Sequence, residues 1–159
     1  MFHAYYDEYC YLPVHLYEGE SGKLITTLLR PGRRMRGREA TAILKRVLDH
    51  LTMVWPKTKI TLRGDSHFST PEVHDLCDGY GIDSILGQAI NSKLKALGEP
   101  LMELAAALAE QTDEPVRLFD RFEYQAKSWP RPHQIIYKAD ITKGKANPRF
   151  VVTSLTAKQ

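Results

Sequence analysis

The stretch that most constrains the fold is Lys59-Ile60-Thr61-Leu62-Arg63-Gly64-Asp65-Ser66-His67-Phe68-Ser69-Thr70-Pro71-Glu72. Ile60 and Leu62 alternate with Thr61 as in a half-buried strand, and Gly64 lets the backbone turn. Thr70-Pro71 supplies an N-cap followed by the proline favoured at the first helical position. Ser69 with Glu72 also fits a capping box, which would start the helix one residue earlier. A strand, a carboxylate at its end and a helix in succession define an α/β unit. In open α/β sheets ligands collect beyond the carboxyl ends of the strands, so Asp65 is the first candidate for chemistry. The competing reading is local: Asp caps turns between strands and helices for hydrogen-bonding reasons alone.

The flanking pattern extends the unit. Tyr5 to Leu16 is rich in tyrosine and aliphatics, Glu18-Gly19-Glu20-Ser21-Gly22 reads as a turn, and Leu24 to Leu29 resumes a β-rich run, which together predict a hairpin. Ile43, Leu44, Val47, Leu48 and Leu51 fall on one helical face, with Lys45, Arg46, Asp49 and His50 opposite and Pro56 as the stop. After Asp65, a helix carries Val73, Leu76, Cys77 and Tyr80 and ends at Gly79 or Gly81, followed by a strand over Ile82 to Gly87. The order β, β, α, β, α, β implies a mixed sheet with helices packed on it.

Beyond Asn91 the character changes. A leucine and alanine helix centred on Leu101, Leu104, Ala105 and Leu108, with a bend expected at Glu99-Pro100, precedes three β-like runs at Leu118 to Ala126, Gln134 to Ile141 and Phe150 to Leu155. They predict a small antiparallel sheet added to the α/β core. The division expected is therefore 1–90 for the core and 91–159 for the helix and antiparallel strands.

Composition narrows the classes. With 159 residues, 43% of them hydrophobic, the chain can build one ordinary core without staples. Cys10 and Cys77 have neither CxxC spacing nor clustered histidines, so they read as small buried thiols of a reducing compartment rather than a zinc site. A basic leader and a membrane-length apolar run are both lacking, which gives the expectation of a cytoplasmic location with no membrane partner. The net charge of +3 does not by itself name a partner. Its distribution says more: Arg30, Arg33, Arg34, Arg36 and Arg38 crowd one loop, a pattern suited to several phosphates or to a merely solvated surface.

Phe2-His3-Ala4-Tyr5-Tyr6-Asp7-Glu8-Tyr9-Cys10-Tyr11-Leu12-Pro13, Arg63-Gly64-Asp65-Ser66-His67-Phe68 and Asn147-Pro148-Arg149-Phe150-Val151-Val152-Thr153 look like successive blocks of one protein type. The chain resembles DDE-type insertion-sequence transposases, and more narrowly the insertion-sequence thirteen-eighty group. The resemblance implies a ribonuclease H-like fold with a β-rich insertion, DNA at transposon ends as partner, and Mg²⁺ or Mn²⁺ held by Asp, Asp and Glu. It places the second of these carboxylates on Asp65, as catalytic and metal-binding residue. The first Asp would precede Met1, and the Tyr, Arg, Glu and Lys signature around the third fails from both Tyr124 and Tyr137, where Lys127 and Asp140 stand in place of Arg.

One carboxylate of three implies a central fragment of a catalytic domain, inactive alone, with its metal weakly held or not held. The other reading from the sequence is a non-catalytic remnant that binds DNA or full-length transposase. A core lacking its first strand and last helix implies self-association or a swapped dimer. Asp7 and Glu8 are expected to be solvated strand-end charges, and His67, beside Asp65, a hydrogen-bonded or exposed turn residue rather than a ligand. Trp129, between Ser128 and Pro130 and followed by Arg131, is expected at a hairpin tip. Some related transposases stack a flipped base on an insertion-domain Trp, so Trp129 and Arg131 join the candidate DNA contacts; the alternative folds Trp129 back onto Tyr124 or Tyr137.

Overall fold

The computed structural model describes residues 2–3 and 7–156. The chain divides into two compact units, Met1–Arg36 and Gly37–Gln159. In the first, β1 (Phe2–His3) pairs antiparallel with β2 (Glu8–Tyr9), and β3 (Val14–Tyr17) pairs antiparallel with β4 (Leu24–Leu28). The expected hairpin is present with a shorter first strand. Pro13 has no N–H for a ladder, so the run that precedes it cannot continue β3 and Glu8–Tyr9 pairs elsewhere. Tyr5 and Tyr6, assigned to that strand from sequence, lie outside the described residues. The turn is tied by the Glu18 carboxylate, which accepts from the backbone N–H of Glu20 at 2.8 Å and of Ser21 at 2.6 Å.

The second unit begins with α1 (Gly37–Val54), whose apolar stripe buries Ala40, Leu44 and Leu48. It packs on α2 (Pro71–Tyr80), and Lys45 bridges the two helices by pairing with Asp49 at 2.8 Å and bonding the Tyr80 hydroxyl at 3.2 Å. Thr70 is the N-cap of α2 in extended backbone, with Pro71 following, and its carbonyl accepts from Val73 and His74. The capping box does not form: Thr70 and not Ser69 is the N-cap, and the Ser69 hydroxyl donates to Gln88 Oε1 at 2.8 Å. Gly81, in the left-handed conformation at φ +61, closes the helix, while Gly79 stays inside it.

β5 (Thr61–Gly64) lies parallel to β6 (Asp83–Gln88). α3 (Ser92–Thr112) follows and runs through Pro100 as one helix, then β7 (Val116–Tyr124), β8 (His133–Thr142), the short β9 (Lys145–Ala146) and β10 (Arg149–Thr153). The three predicted C-terminal runs are strands, but they do not make a sheet of their own. β10, last in sequence, pairs antiparallel with both β6 and β8, so the order β5-β6-β10-β8-β7 forms one mixed sheet of six strands with β9 on β8. Pairing β6 on both sides satisfies its backbone groups while Ser84 and Leu86 go inside.

Strand alternation gives this sheet two unlike faces. On one, Leu86, Ile135, Tyr137, Ala139, Phe150 and Val152 are buried with Leu94 and Ala105 of α3. Each of the Leu, Ile, Val and Phe side chains contributes about 1.5–3 kcal/mol by leaving water. The Tyr137 ring stacks on Phe150 with centroids 4.5 Å apart, and Gly98 of α3 lies close against it, where a Cβ would come 2.7 Å from Cζ. On the other face Arg63 and Arg149 are exposed, and Ile85, Gly87, Val151, Ile136 and Lys138 are only half-buried.

Candidate functional site

Asp65 follows the last residue of β5, at the carboxyl end of the parallel strand pair, where an α/β sheet offers a site. Its carboxylate is 68% exposed; Oδ1 accepts the His67 N–H at 2.9 Å and Oδ2 lies 3.3 Å from His67 Nδ1. The carbonyl of Asp65 accepts from Phe68, which turns the chain back toward α2. Asp65 thus does cap its own turn, as the local reading required, and still presents oxygen lone pairs to solvent.

A cleft of about 520 Å³ opens here, lined by Arg63, Asp65, Gly87, Gln88, Asn147 and Arg149 among others. β10 runs antiparallel to β6, which brings the start of β10, with Arg149, to the same end of the sheet as Asp65. Gly87 lines it closely: a Cβ there would be 3.2 Å from Ser66 N and 3.4 Å from the Asp65 carbonyl carbon, so any larger residue would press the Asp65 turn back by a few tenths of an ångström. Arg63 and Arg149 belong to motifs singled out in the sequence without a role of their own. The signal that could have found Arg63 is its place two residues before Asp65, at the end of the strand whose following turn carries that carboxylate.

The donor set meets only part of the needs of a divalent metal centre. Among the described residues Asp65 is the only acidic one lining the cleft, and no group of three or more His, Cys, Asp and Glu could hold a metal ion. Hard cations take several oxygen ligands, and the two guanidinium groups nearby oppose a second positive charge.

The remaining sequence candidates divide. Arg33, Arg34 and Arg36 are exposed in the first unit, and Arg38 is exposed in the first turn of α1. Arg30 is a correction: it is only 4% exposed and donates from Nη1 to the Leu12 carbonyl at 3.4 Å, so a phosphate cannot reach it. Trp129 is a second correction. It is 5% exposed and packs edge-on against Tyr124, His74 and His133, with centroids 5.6, 5.4 and 5.1 Å away. The hairpin turn folds inward because an indole gains more by burial among aromatic rings than at a solvated tip, which leaves no face for a base. Arg131 forms an ion pair with Asp78 and lies 4.0 Å from Asp75, which clips the same turn to α2.

The sequence also gave no warning of the His74 and His133 pair under this turn, with ring centroids 4.5 Å apart. Burial, reinforced by the neighbouring His133, holds His74 down to about 4, and burial likewise lowers His133, so both rings are neutral at physiological pH.

A mixed sheet with helices packed on it defines an α/β domain, and it carries an exposed carboxylate at the carboxyl end of a parallel strand beside arginine. The chain belongs to the family described as transposase DDE domain group 1, which matches it over residues 1–159. No curated protein matches it significantly. DNA is the partner that family implies, and divalent metal ions are its general cofactor. Among the described residues no helix is long and apolar enough to cross a membrane.

Proposed function

We propose that this chain is a central part of the ribonuclease H-like catalytic domain of a transposase of the insertion-sequence thirteen-eighty type, which cleaves and rejoins DNA at transposon ends with Mg²⁺. The observation that carries this reading is Asp65: an exposed carboxylate at the end of a parallel strand, in a cleft, in a chain matched throughout by a DDE family. Asp65 would hold metal as one of several carboxylates. When bound, such ions activate water or a 3′-hydroxyl and stabilise the leaving oxygen at a phosphodiester. The chain's own contribution is to fix the Asp65 carboxylate through the His67 N–H and to keep the space before it open with Gly87. Exposed Arg33, Arg34, Arg36 and Arg38 contribute sequence-independent phosphate contacts.

With one carboxylate in the cleft, the chain binds DNA without cutting it. Incubation with labelled duplex and Mg²⁺ or Mn²⁺ tests this, since cleavage by the chain would contradict the assignment. Sequencing the DNA on both sides of the reading frame tests the parentage. An in-frame strand bearing Asp upstream and a helix bearing Glu downstream is expected; unrelated sequence on both sides would overturn it.

A further inference from the structure

We propose that Arg63 and Arg149 form a phosphate clamp across the Asp65 cleft and hold a phosphodiester group of a DNA strand beside that carboxylate. The proposal deepens the function proposed above and rests on DNA being the ligand.

Four observations carry it. Arg63 and Arg149 come from different strands of the sheet, one before the Asp65 turn and one at the start of β10, yet both line the same cleft. Both are exposed, and among the described residues neither has an ion-pair partner. Four other basic residues of the second unit are in ion pairs: Lys138 and Arg117 with Asp140, at 2.8 and 3.6 Å, Lys45 with Asp49, and Arg131 with Asp78. Two guanidinium groups against one carboxylate leave the cleft with a formal excess of one positive charge, which a phosphodiester would neutralise.

The shape of the cleft agrees with this ligand. Its lining at Gly87 is backbone, and the other polar side chains include the neutral amides of Gln88 and Asn147. Planar guanidinium forks bind two phosphate oxygens at once, which fixes the orientation of the group as well as its position. Beyond the cleft, Ile136 and Lys138 on the same sheet face stay half-exposed, so a strand can extend along it in place of a single small anion.

The test is fluorescence anisotropy of a fluorescein-labelled duplex of arbitrary sequence, titrated with the whole chain at several salt concentrations. Arg63→Gln and Arg149→Gln are each expected to weaken binding about tenfold. The double variant should lower the slope of log K against log salt by about 0.9, since the clamp neutralises one phosphate. Arg63→Lys with Arg149→Lys, which keeps the charge, should restore most of the slope but not all of the affinity. Far-UV circular dichroism and the thermal midpoint, unchanged in the lysine pair, separate this from loss of fold. Parent-like affinity and slope in the double Gln variant would overturn the clamp and leave DNA binding intact. Failure of the parent chain to bind the duplex at low salt would overturn the DNA reading and the clamp together.

Discussion

Replacing Trp129 with Ala separates a core residue from a DNA contact. The indole is 5% exposed and touches three aromatic rings edge-on, so the substitution removes a large buried surface and leaves a cavity among side chains anchored on β7, β8 and α2. Deletions of this kind cost about 3–5 kcal/mol, of which the edge-to-face contacts supply part. Against a total stability of about 5–15 kcal/mol for an ordinary domain, that is a large fraction. With a urea dependence of about 2 kcal/mol per molar, the midpoint should fall by about 2 M, read by far-UV circular dichroism. Trp129→Phe keeps most of the ring contacts and should cost about 1–2 kcal/mol, with duplex affinity unchanged. If Trp129→Ala stays within about 1 kcal/mol of the parent and loses duplex affinity instead, the indole is a base-stacking surface and its assignment to the core is wrong.

Gly98→Ala should destabilise although alanine is the better helix former by about 1 kcal/mol, because its Cβ would come 2.7 Å from the buried Tyr137 ring, itself held by Phe150; thermal unfolding should show a net loss, and a gain would refute that packing. Gly87→Ala should leave far-UV circular dichroism native while shifting the amide resonances of Asp65 and Ser66, since the new Cβ presses on their backbone. Acid should destabilise the fold through His74 and His133. Both folded pKa values lie below the unfolded value near 6.5, so the unfolded state binds more protons, and their contribution, complete above about 6.5, declines as pH falls, that of His74 down to about 4. His74→Phe should flatten the thermal midpoint across that window; a midpoint profile identical to the parent's would show that His74 is not the linked group.

The legible parts of this molecule are those written locally. Strand, turn and helix around Asp65 follow from Ile60, Leu62, Gly64, Thr70 and Pro71 within a few residues of one another, and β5 and α2 form there. The C-terminal strands were equally visible, but their pairing was not. Alternation says which residues share a face, and cannot say that β10 will add to β6, separated from it by α3 and three other strands. Trp129 misled for the same reason: Ser, Pro and Arg around it announce an exposed turn, whereas His74, which receives it, is remote in sequence. Arg30 lay in a run of arginines, where charge alone cannot distinguish the one that caps a carbonyl from those that face solvent. Arg149 entered the cleft only once the antiparallel pairing of β10 with β6 was known.

The central claim is that Asp65 marks the metal side of a DNA-binding cleft, and paramagnetic broadening by Mn²⁺ in the presence of duplex tests it most directly. Comparing the parent with Asp65→Asn cancels the effect of other exposed carboxylates. The account predicts that millimolar Mn²⁺ broadens the amide signals of Ser66 and His67 in the parent and spares them in the variant. Equal broadening of those signals in both proteins, or none in the parent, would contradict it.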